Sequence, residues 1–150
     1  MANADKLIYM GSDHTGVKDK VEIKSYLEAD GYEVVDLGCF GEDPCDYPDI
    51  AREVAEKVAE VKGARGIILC GSGIGVAMTA NKLKGVRAVM ANDPYLAEQA
   101  RLHNDANVLT MGARLNTFEE MKPIMDKFLT TDFESGEERR VRRVNKIDIF

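Results

Sequence analysis

Cys70 closes an apolar run, Ile67-Ile68-Leu69, and is followed at once by Gly71-Ser72-Gly73-Ile74-Gly75. Three glycines in five positions let the backbone turn tightly and approach a ligand closely. A strand that enters such a loop ahead of a helix leaves backbone N–H groups facing outward, which suits a phosphate or a developing oxyanion. A thiol in that positive field is favoured as thiolate, the form that acts as nucleophile or proton-transfer base. A cysteine after a strand is equally often a small buried apolar residue, so this stretch alone leaves both roles open.

Other polar groups fall at comparable joints of the chain: Asp13 and His14, Ser72, His103 and Asn104, and Arg114. The two histidines are the only ones in the sequence, and both are expected beside the cleft. Two imidazoles without a third ligand at suitable spacing make a poor metal site, so no metal is predicted. Near the C-terminus, Arg139 and Arg143 stand four apart, on one face of a helix, where two guanidinium forks can grip a phosphate. Charge runs are usually only a solvated face, and Glu134, Glu137 and Glu138 supply local partners, yet the cluster stands out in an acidic chain.

The elements that must position these groups alternate. Residues 6–10 read as a strand, 15–29 as a helix, 33–37 as a second strand, and 39–48 as a polar loop with two prolines. A helix over 49–61 carries Ile50, Val54, Val58 and Val61 on one face. The run before Cys70 is the third strand and 76–82 a helix, after which 86–90 is a fourth strand. Asp93 caps a helix that opens on Pro94 and reaches about His103; 108–111 is a fifth strand, 117–129 a helix, and 137–147 a basic helix after a polar break.

This alternation predicts an α/β fold: a single doubly wound, Rossmann-like domain over 1–150, with a five-stranded parallel sheet, helices on both faces and a basic C-terminal helix. Ligands of such sheets bind beyond the carboxyl ends of the strands, where residues 11–14, 37–47, 70–75, 91–93 and 112–114 are expected. A helix at the extreme C-terminus, about 132–150, is expected to pack on a neighbouring subunit.

Several ligands are excluded. The dinucleotide fingerprint would require a third glycine where Val76 stands, and residues 11–18 resemble a P-loop only with the lysine one place late and Asp13 inside the phosphate cradle. A receiver domain would put aspartate at Cys70, and a Cys-x5-Arg phosphatase would put arginine at Val76. With a net charge of −6, nucleic acid is disfavoured as a partner. No apolar run has membrane length, and three cysteines without a CxxC pair argue against a disulfide framework and fit a reducing cytoplasm. What remains is a thiol base, an oxyanion-binding loop, a histidine, a carboxylate and cations. Aldose–ketose isomerisation needs one base to carry a proton between adjacent carbons, donors for an enediolate, and an acid/base pair to open the ring.

The chain resembles the ribose-5-phosphate isomerase B family, which includes the galactose-6-phosphate isomerase subunits. The resemblance rests on Gly-Ser-Asp-His-Thr-Gly (11–16), Asp-Tyr-Pro-Asp (46–49), Leu-Cys-Gly-Ser-Gly-Ile-Gly (69–75), Ala-Asn-Lys (80–82), Gly-Val-Arg-Ala (85–88), Arg-Leu-His-Asn-Asp-Ala-Asn-Val-Leu (101–109) and Gly-Ala-Arg (112–114). It implies interconversion of ribose 5-phosphate and ribulose 5-phosphate through a cis-enediol, in the pentose phosphate pathway, without a cofactor. By that resemblance Cys70 is the base, Ser72 stabilises the enediolate, and His103 with Asp13 opens the furanose. The amides of Gly71, Ser72, Gly73, Ile74 and Gly75, with Asn104, hold substrate oxygens, and Tyr47 lines the pocket. His14, Arg114, Arg139 and Arg143 bind phosphate, partly across the interface of a homodimer or dimer of dimers. The tail departs from the family's usual Gly-Gly-Arg-His, reading Ser135-Gly136-Glu137-Glu138-Arg139 with two extra residues. Cys39 and Cys45 match no functional position of the family and are read as plain loop cysteines. The alternatives are a six-carbon sugar phosphate, such as allose or galactose 6-phosphate, and a non-catalytic phosphate- or nucleotide-binding module.

Overall fold

The structure, a computed structural model, describes residues 3–150. Five parallel strands, β1 (Leu7–Ser12), β2 (Glu33–Asp36), β3 (Arg65–Cys70), β4 (Ala88–Met90) and β5 (Val108–Gly112), lie in the order β2-β1-β3-β5-β4. Six α-helices accompany them: α1 (Val17–Ala29), α2 (Tyr47–Glu60), α3 (Ile74–Ala80), α4 (Pro94–Asn104), α5 (Phe118–Thr130) and α6 (Glu138–Ile147). The expected α/β sheet is present, and its order has a consequence for the site. The chain leaves β3, crosses to the edge to form β4, and returns to lay β5 directly against β3, with Cys70 opposite Gly112.

The apolar run in β3 is explained by burial on both sides. Ile67 and Leu69 enter one core with Ile23, Leu27, Met121 and Phe128 from α1 and α5, whereas Ile68 and Cys70 enter the other, with Val54 and Ala55 of α2 and Val76 of α3. Each large side chain buried in this way contributes roughly 1.5–3 kcal/mol. Capping follows residue chemistry. Asp93 accepts the Leu96 N–H, and Thr117 and Glu120 form a reciprocal capping box at α5.

Element limits move by a few residues for local reasons. The helix expected from residue 49 begins at Tyr47, because Pro48 is tolerated in a first helical turn where an N–H has no partner anyway. The fourth strand expected over 86–90 begins at Ala88, since the Val86 N–H is taken by Leu83 C=O in a turn. The basic helix α6 packs on α4 of its own chain: Val144 is buried, and both Asp148 oxygens accept from Arg87 Nη1. No helix among the described residues is long and apolar enough to cross a membrane.

Candidate active site

The carboxyl ends of β1, β3 and β5 are stitched together by main-chain bonds. Asp13 N–H donates to Leu69 C=O, Ala113 N–H to Cys70 C=O, and Arg114 N–H to Gly71 C=O. Cys70 thus lies between the exits of its two neighbouring strands. Its side chain points toward the α2 and α3 layer and is 5 % exposed, yet the sulfur is not merely packed in oil. The Gly73 N–H donates to Cys70 Sγ across 3.1 Å. That contact is a direct amide-to-sulfur hydrogen bond, made one residue before α3 begins.

Gly73 can make that bond because of its backbone. It has φ +79°, and a Cβ would lie 2.9 Å from the Met111 carbonyl carbon, so both conformation and space demand glycine. Thr110, buried in β5, secures the same loop by donating from Oγ1 to Gly73 C=O at 2.7 Å. Ser72 Oγ accepts the Ile74 N–H, so its hydroxyl hydrogen is available to another acceptor. Arg114 lies over Gly71, where a Cβ would meet Nη1 at 3.3 Å, and the Tyr47 ring covers Gly75, where a Cβ would come within 2.6 Å.

Asp13 caps the short turn His14–Gly16, with Oδ1 accepting from the Thr15 N–H and hydroxyl. His14 is exposed beside it, and Nδ1 accepts the Cys45 N–H at 3.4 Å. The loop that carries Cys45 is held at its other end by Lys20. This lysine is fully buried, and Nζ donates to Asp36 Oδ1 at 2.7 Å and to Cys39 C=O. Cys39 and Cys45 are joined by a disulfide, with Cα atoms 6.9 Å apart. The reading of these two as plain loop cysteines is therefore corrected. Between the two cysteines the chain bends over residues 41–43.

His103 and Asn104 are not at this end of the sheet. A helix that follows a strand in a parallel sheet runs back beside it, so the last turn of α4 lies at the level where the strands begin. Asn104 accordingly shares a concavity with Arg87, Ala88 and Ala106. From the start of β5 to Gly112 opposite Cys70 is four steps of roughly 3.3 Å, hence about 13 Å. The expectation that both histidines flank one cleft within one chain is corrected for His103. The arginine helix is at that far end too, tied by the Glu134 N–H to Leu102 C=O and by Asp148 to Arg87. Arg139 is exposed and paired with Glu137, and Arg143 is exposed.

Comparison with known proteins decides the family. The ribose/galactose isomerase profile matches residues 8–147. The chain belongs to the ribose/galactose isomerase family. Its relatives include ribose-5-phosphate isomerase B of Escherichia coli, 40% identical over 95% of this chain and 97% of that protein. Solved structures of similar fold include ribose-5-phosphate isomerase B from Mycoplasma genitalium with bound ribulose-5-phosphate, with TM-score 0.90, 42% identity and coverage of 95% of this chain and 94% of that one. The Clostridium thermocellum enzyme gives TM-score 0.89 at 41% identity, covering 95% of both chains.

For a ribose/galactose isomerase, the geometry sorts the expected residues into two sets. Asp13, His14, Tyr47, Cys70, the loop from Gly71 to Gly75 and Arg114 meet at the carboxyl ends of the strands, and His103, Asn104, Arg139 and Arg143 lie at the opposite end. Two supporting residues were missed, Lys20 and Thr110. Both had a legible signal: Lys20 shares a helical face with Ile23 and Leu27, and Thr110 interrupts the apolar run of β5.

Proposed function

We propose that this isomerase interconverts D-ribose 5-phosphate and D-ribulose 5-phosphate through a cis-enediol. The observation that carries the reading is the Gly73 amide donating to Cys70 Sγ at the mouth of a glycine loop. In this reading the Cys70 thiolate removes the proton from C2 of the open-chain aldose and returns it to C1. The Ser72 hydroxyl and the loop amides of Gly71, Ser72 and Gly75, which are not engaged by Cys70 Sγ or Ser72 Oγ, take the charge that develops on the enediolate oxygens. Asp13, with a histidine, moves the protons of ring opening. Tyr47 walls the sugar, and His14 and Arg114 meet the phosphate.

A second copy of the chain supplies what the first lacks. His103, Asn104, Arg139 and Arg143 lie about a strand's length from their own Cys70, so they serve the site of the partner in a two-fold dimer. Exposed apolar side chains support a partner surface: Ile74 and Met78 on α3, Tyr95 and Leu96 on α4, and Leu115 beyond β5.

Incubation with ribose 5-phosphate in deuterated water tests the chemistry. The native chain should place deuterium on the carbon next to the carbonyl, and Cys70→Ala should bind the sugar phosphate yet exchange nothing. Exchange at an unchanged rate in Cys70→Ala removes the thiol base, and binding without exchange in the native chain leaves only a phosphate-binding module. A six-carbon sugar phosphate is the second reading, favoured by the breadth of the family, which spans ribose and galactose isomerases. Relative turnover of five- and six-carbon substrates separates the two.

A further inference from the structure

The loop of residues 37–46 carries a chemistry that the isomerase reaction does not use. Its first end is built into the sheet: Leu37 N–H donates to Met10 C=O, Cys39 N–H to Ser12 C=O, Ser12 N–H to Gly38 C=O, and the buried Lys20 ammonium to Cys39 C=O. The middle, residues 40–44, is exposed and forms no helix or strand. The second end touches the site through one polar contact, the Cys45 N–H on His14 Nδ1. The disulfide between Cys39 and Cys45 joins the anchored end to the end that touches His14, across a separation of six residues. It bridges no two layers of the fold, so what it constrains is where this loop sits. Cys70, the remaining cysteine, is buried and free.

We propose that Cys39 and Cys45 are a reversible dithiol–disulfide site, oxidised by a peroxide, whose closed form fastens the loop against His14. In the forward step the thiolate of one cysteine attacks a peroxide oxygen. The O–O bond breaks, sulfur is oxidised to a sulfenic acid, and the second oxygen leaves as water or alcohol with the thiol's proton. The other thiol then attacks the sulfenic sulfur, the S–O bond breaks, and a second oxygen leaves as water. Two thiols have lost two electrons and the peroxide has gained them. In the return step a small dithiol exchanges through a mixed disulfide, regenerating both thiols and ending as a disulfide itself.

The effect on the site runs through the imidazole. With Nδ1 accepting from Cys45, a neutral His14 carries its proton on Nε2 and offers it to a phosphate oxygen. Opening the bridge frees the Cys45 end, and this fixed donor is lost. The coupling rests on the proposed role of His14, whereas the redox pair itself does not.

The purified full-length chain, treated with dithiothreitol or with hydrogen peroxide, tests both. Thiol titration after denaturation should count three thiols in the reduced protein and one in the oxidised, with peptide mapping placing the bridge between residues 39 and 45. KM for ribose 5-phosphate should be about fivefold higher in the reduced form, the share of one hydrogen bond, with little change in kcat. Cys39→Ser/Cys45→Ser should show the reduced KM under both treatments and keep its activity through the peroxide step. Three thiols surviving peroxide, or a bridge to Cys70, overturns the pair. Equal KM in both wild-type forms, or a fall in KM on peroxide treatment in the double variant equal to that in the wild type, overturns the coupling. If neither form turns over sugar phosphate, the isomerase reading fails; the thiol count still decides the pair, and the affinity for inorganic phosphate in the two forms decides the coupling.

Discussion

Shared sites make a prediction that a single-chain site does not. Cys70→Ala and His103→Asn each remove one member of the proposed catalytic pair, and each homodimer should lose activity by roughly two to four orders of magnitude, the usual worth of a positioned acid or base. When the two chains are co-expressed, a heterodimer has one site missing both groups and one site with the native cysteine and the native histidine. The proposed shared site leads to this arithmetic, because about 13 Å of strand lies between the end of the sheet that holds Cys70 and the end where β5 begins after α4. Random pairing of equal amounts puts half the chains in heterodimers with one of two sites intact, so the mixture should regain about a quarter of native turnover. Two affinity tags allow the heterodimer to be isolated, and it should then reach about half. A purified heterodimer no more active than its parents would refute the shared site, and a fully active His103→Asn homodimer would remove this histidine from the mechanism.

Lys20 and Asp36 are nearly out of water, with side chains 1 % and 12 % exposed. Lys20→Met leaves a buried carboxylate without its partner and should cost about 3–5 kcal/mol in urea unfolding, much of it recovered in Lys20→Met/Asp36→Leu. Gly75→Ala places a methyl 2.6 Å from the Tyr47 ring, so the ring must move; KM should rise by about tenfold, with kcat less affected, in steady-state kinetics. At the start of α5, hydrogen bonds from the Thr117 N–H and hydroxyl hold the Glu120 carboxyl below its ordinary 4.5. A carboxyl lowered in the folded state adds stability above its unfolded value and loses it as pH falls through the folded one. The Tm advantage of the native chain over Glu120→Gln should hold at neutral pH and close as pH drops below about 4.5.

The strands and helices were legible because burial imposes a pattern. Ile67, Ile68 and Leu69 read as a doubly covered strand and are one, and Asp93-Pro94 marks a helix start because cap and ring chemistry allow little else. Position in the sheet was not legible in the same way. Nothing in the chain between Gly85 and Gly112 announces that the fourth strand is the edge and the fifth lies against Cys70. The two loop cysteines were likewise misread, since an odd count says nothing about which two the loop brings together.

His103 is the more instructive miss, because the rule that places it was already in hand. In a parallel sheet, loops that leave strands gather at one end and loops that leave helices gather at the other. Asp13, Cys70 and Arg114 follow strands; His103 ends a helix, and Arg139 and Arg143 belong to the helix packed beside it. Residue types alone suggested a single cluster, whereas chain direction splits the cluster in two. A reaction that needs both halves therefore turns an oligomeric state from a packing detail into a condition of catalysis. Dilution below the dimer's dissociation constant should abolish turnover in proportion to the dimer lost, even where circular dichroism shows the separated chains still folded.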